Sequence, residues 1–169
     1  MATATLLDRR SAAPAVVLFA SAATLGAALL SQYVGGLAPC VLCIWQRWPH
    51  AAAIGLAALA WLVADRRAGS SALLASAGVA LWIGAGVAAY HVGVELRWWT
   101  GTPGCGVTRT AGSLEELRAM VMSAPVVRCD EVQWSFLGLS MAGWNFLISV
   151  GLGGLALAAA LRRATGRTA

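Results

Sequence analysis

Polar and apolar positions along this chain separate into long blocks instead of alternating. From Ser11 to Gln46 there is no charged residue, and the stretch from about residue 14 to 34 is predominantly apolar. About 20 residues at 1.5 Å each cross a bilayer core, so this block predicts a membrane-spanning helix. Gly35, Gly36 and Pro39 break it. A second apolar block runs over 44–63, a short turn with Asp65, Arg66, Arg67 and Gly69 follows, a third block covers 71–94, and a fourth covers 141–161, entered from Gly138 and closed by Arg162 and Arg163. The first block is longer than the apolar part of a secretory leader and no convincing small-residue cleavage site precedes Pro39, so it reads as a retained span. The expectation is a single-domain, all-α membrane protein over residues 1–169: a bundle of four transmembrane helices with outer loops at 35–43 and 95–140. Glycines within the spans, among them Gly26, Gly55, Gly78, Gly84, Gly86, Gly151, Gly153 and Gly154, read as close-packing positions.

The long loop has its own pattern. Ser113 followed by Glu116 is a capping box, and Leu114, Leu117, Met120 and Val121 recur at helical spacing. They predict a short amphipathic helix lying on the membrane surface, ended by Pro125.

Composition sharpens this picture. Hydrophobic residues make up 59% of the chain and charged residues only 11%, against roughly a quarter charged in soluble domains. The net charge is +5 and all 12 basic residues are arginine. They stand in short groups between apolar runs, with no basic stripe interleaved with aromatics, which excludes nucleic acid as a partner. As topology signals they are asymmetric. Arg9, Arg10, Arg66, Arg67, Arg162, Arg163 and Arg167 lie on one side. Arg97, Arg109, Arg118 and Arg128 lie in the long loop, offset by Glu95, Glu115, Glu116, Asp130 and Glu131. The positive-inside rule puts both termini in the cytoplasm and the loops at 35–43 and 95–140 outside. Trp45, Trp48, Trp98, Trp99, Trp134 and Trp144 gather at the outer interface, where indole rings are favoured as belt residues.

On this topology all four cysteines face the oxidising side. Cys40 and Cys43 form a Cys-x-x-Cys, a motif shared by redox and metal sites. Pro39 fits a helix start, so Cys43 is expected in the first helical turn, with Arg47 one turn further on the same face. A helix N-terminus and a guanidinium both lower a thiol pKa. The alternative for Arg47 is a side chain that snorkels to lipid phosphates. Zinc is disfavoured, because Cys105 and Cys129 are lone cysteines and both histidines fall in apolar spans. A Cys105–Cys129 disulfide would contribute roughly 3–4 kcal/mol by loop entropy. A Cys-x-x-Cys closes almost no loop and suits exchange better than stapling. A transporter or scaffold with static disulfides is the competing class, and no intramembrane acidic residue marks an ion path for it.

The run Pro39-Cys40-Val41-Leu42-Cys43-Ile44-Trp45-Gln46-Arg47 resembles the disulfide bond formation protein B family. So do Tyr90-His91, Cys129-Asp130, the stretch Trp134 to Met141, and Trp144, in a likeness spanning about residues 16–161. The resemblance implies a quinone-dependent thiol oxidase of the bacterial inner membrane that reoxidises a periplasmic, thioredoxin-like dithiol oxidase of the DsbA type. It implies that Cys105 receives the partner's thiolate, that Cys129 then attacks Cys40, and that Cys43 donates electrons to ubiquinone or menaquinone. Arg47 would stabilise the thiolate and the reduced quinone, with His91 and Met141 near the quinone. His91 also fits a plain packed polar residue at a helix end.

Overall fold

The computed structural model describes residues 9–102, 105, 112–123 and 127–165. Pro125, Arg109 and Arg167, and the side chains of Arg9, Arg10, Leu117, Met120 and Val121, lie outside the described residues. The chain is mostly helical: α1 Arg9–Tyr33, α2 Val41–Trp45, α3 Arg47–Leu62, α4 Arg67–Glu95, α5 Leu114–Ser123 and α6 Met141–Ala164, with a two-stranded antiparallel hairpin of β1 Ser135–Phe136 and β2 Leu139–Ser140 before α6. The segments Ser11–Tyr33, Arg67–Glu95 and Met141–Ala164 are each long and apolar enough to cross a membrane.

The apolar block at 44–63 is not one helix. It is split at Gln46 into α2 and α3, and α3 has 16 residues. Pro49 explains the break: it has no N–H to donate to the Trp45 carbonyl one turn earlier. The hairpin before α6 was not foreseen either. Leu137 and Gly138 both have positive φ, 51° and 79°, the geometry of a tight turn between twisted strands.

α4 packs most extensively on α6 and next on α3, while α1 lies on α3 and touches α6. The interior is built from small side chains in helical register: Ala53, Ala57 and Ala60 on α3, Leu74, Ala77 and Leu81 on α4, and Ala156 and Ala160 on α6. Lipid supplies no hydrophobic drive between helices, so close backbone approach and dispersion must hold them. A Cβ on Gly78 would sit 3.0 Å from the Gly153 carbonyl oxygen, one on Gly153 would collide with the Trp82 indole, and one on Gly84 would lie 2.8 Å from Pro49. Gly26, Gly55, Gly86, Gly151 and Gly154 instead face open space, which corrects the expectation that the span glycines all serve packing. Outward faces carry large apolar side chains such as Phe19, Leu62, Ile83 and Leu161. At one end of the bundle, polar cross-links tie the helices: Ser70 Oγ donates to Ala60 O, Ser71 Oγ to Ala160 O, and Arg163 to Ser70 Oγ.

The other end carries the cysteines. α4 closes there with Trp98 N–H donating to Gly93 O and Arg97 N–H to Val94 O, with Arg97 in the left-handed region at φ 59°. This is a Schellman closure with arginine at the position glycine usually holds. The chain then folds back, so that Trp99 stacks on Tyr90, donates to its carbonyl and lies directly over Gly93. In α5 the predicted cap is present: Glu116 N–H donates to Ser113 Oγ at 3.2 Å, while the Glu116 carboxylate accepts from Gly112 N–H.

Candidate functional site

Cys40 is the N-cap of α2, with extended backbone, and its Sγ accepts the Cys43 N–H at 3.2 Å. Capping thus turns the Cys-x-x-Cys spacing into geometry: the residue three positions on is the one whose N–H is orphaned at a helix start. The two sulfurs lie 3.0 Å apart as thiols. Cys40 is buried and Cys43 half-buried.

The two thiols are electrostatically unequal. The Cys43 thiol facing Cys40 holds the Cys40 pKa below its ordinary value, against burial and with help from His91. The bond to Cys40, burial and Cys40's charge push Cys43 up. The sequence spacing predicts Cys43 as the acidified member, whereas these surroundings favour charge on Cys40. Arg47 does not reverse this, because its guanidinium donates to Gln32 Oε1 at 2.6 Å.

Cys105 and Cys129 are joined as a disulfide, and Cys129 is fully buried. The pair packs with Cys40, Leu42 and Val94 in one cluster. Cys40 Sγ, Cys129 Sγ and a His91 ring nitrogen all lie within 4.8 Å of one another. Three such atoms are within reach of a metal ion, but the Cys129 sulfur is bonded to Cys105 and offers no thiolate to one. Arg128 forms a two-pronged ion pair with Asp130 at 2.8 and 2.5 Å beside this disulfide, which holds the Asp130 carboxyl below the usual range.

His91 is 3% exposed and bonded on both sides. Its Nε2 faces Cys40 Sγ at 3.6 Å and Glu95 Oε1 at 3.9 Å, and its Nδ1 takes the Gln46 side-chain amide at 2.8 Å. Glu95 in turn accepts from Ser140, the N-cap of α6, at 2.5 Å. Gln46 Oε1 accepts from Asn145 at 2.6 Å, and Asn145 Oδ1 meets His50 Nε2 at 2.8 Å. A buried polar chain thus leads from Cys40 into the bundle. Sequence reasoning missed Gln46, His50, Glu95 and Asn145. The available signal was polar residues at helical spacing within otherwise apolar blocks, such as Gln46 and His50.

Beside this chain is a cavity of about 480 Å³. Cys40, Cys43, Arg47, His91 and Met141 all line it, as do Gln46, His50, Asn145 and the apolar Leu25, Ala28 and Ile148. Trp134 and Trp144 also line it, so these two indoles are more than belt residues. Arg47 Nε is buried there with no partner among the described residues. Of the candidate site residues, Cys105 and Cys129 do not line the cavity; their disulfide packs behind Cys40, which does.

The family described as Disulfide bond formation protein DsbB matches residues 9–159. A relative named Disulfide bond formation protein B from Xanthomonas campestris pv. campestris (strain 8004) is 36% identical over 139 residues, covering 79% of this chain and 80% of its own. One of the same name from Verminephrobacter eiseniae is 35% identical over 164 residues, covering 90% and 86%. Another from Methylococcus capsulatus is 38% identical over 143 residues, covering 80% and 85%. No solved structure matches at the same standard. A family match over most of its length and relatives above 30% identity place this chain in the disulfide bond formation protein B family.

Proposed function

We propose that this disulfide oxidoreductase takes two electrons from a periplasmic, thioredoxin-like dithiol protein and delivers them to a membrane quinone through its two cysteine pairs. The observation that carries this reading is the adjacency of Cys129 and Cys40, within 4.8 Å, beside a cavity that Cys43 and Arg47 line. A partner thiolate attacks Cys105, forming a mixed disulfide and releasing Cys129 as a thiolate. Cys129 attacks Cys40 of an oxidised Cys40–Cys43 pair, and Cys43 leaves as a thiolate. The partner's second thiolate then attacks the partner's own sulfur in the mixed disulfide, so the partner departs as a disulfide and Cys105 leaves as a thiolate. Attack of Cys105 on Cys129 of the Cys40–Cys129 bridge restores the loop disulfide and leaves Cys40 and Cys43 reduced. Thiol exchange of this kind needs an attacking thiolate and a stabilised leaving thiol at each step. His91 Nδ1 accepts from Gln46, so its Nε2 carries the proton and faces Cys40 Sγ as a donor that can stabilise a thiolate there.

The cavity fits a quinone headgroup. Its walls are mostly apolar, and Arg47 offers a buried, unpartnered Nε–H where a ring oxygen needs a donor. Bound there, ubiquinone or menaquinone supplies the oxidising potential for the pair. Met141, at the start of α6, lines the same cavity and would help hold the ring.

This function requires the bilayer placement read from the arginines: both termini cytoplasmic and the cysteine end periplasmic. α3 serves as the fourth span. Its 16 residues rise about 24 Å, and the five of α2 bring the pair close to a core of roughly 30 Å. α5, acidic in its first turn, lies along the membrane surface and tethers the loop disulfide. The test is Cys43→Ser in a quinone-supplied preparation: quinone reduction by a dithiol substrate falls to background, and unchanged turnover sinks the proposal.

A further inference from the structure

The cavity wall holds a polar group that the relay leaves without a role. His50 lies on α3 one turn beyond Gln46, is 2% exposed, and lines the cavity. Its Nε2 faces Asn145 Oδ1 at 2.8 Å and Ser149 Oγ at 3.3 Å. The direction of the first bond is fixed from its far end. Asn145 gives its amide N–H to Gln46 Oε1 at 2.6 Å, so its carbonyl oxygen is the atom left for His50, and a carbonyl oxygen only accepts. Nε2 therefore carries the proton, and neutral His50 keeps a bare lone pair on Nδ1. That Nδ1 is buried and has no partner among the described residues. A buried acceptor left unpaired costs free energy that a bound hydroxyl would recover.

Resting on the quinone reading above, we propose that His50 recognises the reduced ring, with Nδ1 accepting a hydrogen bond from a quinol hydroxyl. An oxidised ring offers only carbonyl acceptors, which cannot bond to a lone pair. A reduced ring offers O–H donors. Arg47 Nε, three positions earlier on the same helix, is the complementary unpartnered group, a donor that serves a ring oxygen in either form. The wall thus carries one contact indifferent to redox state and one that selects the product. His50 is a specificity residue that makes the cavity hold quinol more tightly than quinone.

The test is anaerobic titration of tryptophan fluorescence, with short-chain ubiquinol added to fully reduced protein and short-chain ubiquinone to fully oxidised protein, so that neither mixture can react. His50→Gln keeps a side-chain N–H for Asn145 and removes the Nδ1 acceptor. It should weaken ubiquinol binding about tenfold, the worth of one buried hydrogen bond, while ubiquinone binding stays within about twofold. His50→Asn, which puts a carbonyl oxygen near the Nδ1 position, should restore most of the loss. Equal weakening of both forms, or of neither, overturns the assignment and leaves the quinone reading standing. Wild-type protein that binds neither form saturably removes the quinone reading and this proposal with it. A second measurement needs no variant: in protein with ¹⁵N-labelled histidine, ubiquinol should move the His50 Nδ1 resonance and ubiquinone should not, and an unmoved resonance under saturating ubiquinol overturns the proposal.

Discussion

Cys40–Cys43 and Cys105–Cys129 are close in space but stand on different supports. The first pair is part of a helix start: Cys40 caps α2, Cys43 lies within it, and Gln46, at the break before α3, connects to His91 on α4. Its geometry is set by backbone hydrogen bonds that must form wherever a helix begins. The second pair hangs in the loop between α4 and α6, fixed by the disulfide itself, by the Arg128–Asp130 ion pair and by the folded-back Trp99. Such a support can give way when a bond is exchanged, while the helical support cannot move without unwinding a cap. On the proposed function, the loop pair is the one that meets a protein partner and the helix-capping pair the one that meets a quinone. The contrast extends to charge. In the helix-capping pair the surroundings are uneven: buried Cys40 has Cys43 and His91 beside it, both of which favour a thiolate there.

The strongest way to break this comparison is to remove the loop pair. Cys105→Ser with Cys129→Ser should reduce turnover with a thioredoxin-like dithiol protein by roughly 10³-fold or more, since a positioned intramolecular exchange is lost. Quinone reduction by a small dithiol should persist, because half-buried Cys43 at the cavity mouth is open to a small reagent. Parallel loss of both activities would mean that the pairs are not separable in role. A smaller effect is expected from Arg47→Met. Losing one charged donor should raise the apparent KM for quinone about tenfold while thermal unfolding stays put. Unmoved quinone kinetics would reduce Arg47 to an interface anchor.

The smallest signal is the location of the first thiolate. Thiolate absorbance near 240 nm in the reduced protein should persist below neutral pH and disappear only as the pH falls through the lowered Cys40 pKa. Cys43→Ser keeps a hydroxyl facing Cys40 and should retain this early band, whereas Cys40→Ser should lose it. The reverse pattern would return the acidic role to Cys43.

How much could be read in advance varies element by element. The long helices α1, α4 and α6 announce themselves because a bilayer demands an unbroken apolar run, and little else produces one. The break at Gln46 was readable in principle from Pro49, but an apolar run hides a missing hydrogen bond. The hairpin at residues 135–140 escaped notice because Leu137 takes a positive φ that side chains other than glycine seldom adopt. Among site residues, cysteines and Arg47 stand out by rarity in an apolar chain. His50 and Asn145 do not, since nothing in sequence says that residues on α3 and α6 share a hydrogen bond.

The sequence by itself determined the solvent, the helical architecture, the helix start at Cys40 and the chemistry open to a Cys-x-x-Cys beside an arginine. These follow from local hydrogen bonding and from apolar length, which a linear chain displays directly. Only the tertiary structure decided that Cys129 meets Cys40, that Arg47 turns to Gln32 instead of Cys43, and that His91, Gln46, Asn145 and His50 join into one buried chain. Those contacts depend on which helix faces which, and in a membrane bundle that is settled by the close approach of small residues such as Gly78 and Gly153, not by any pattern of polarity.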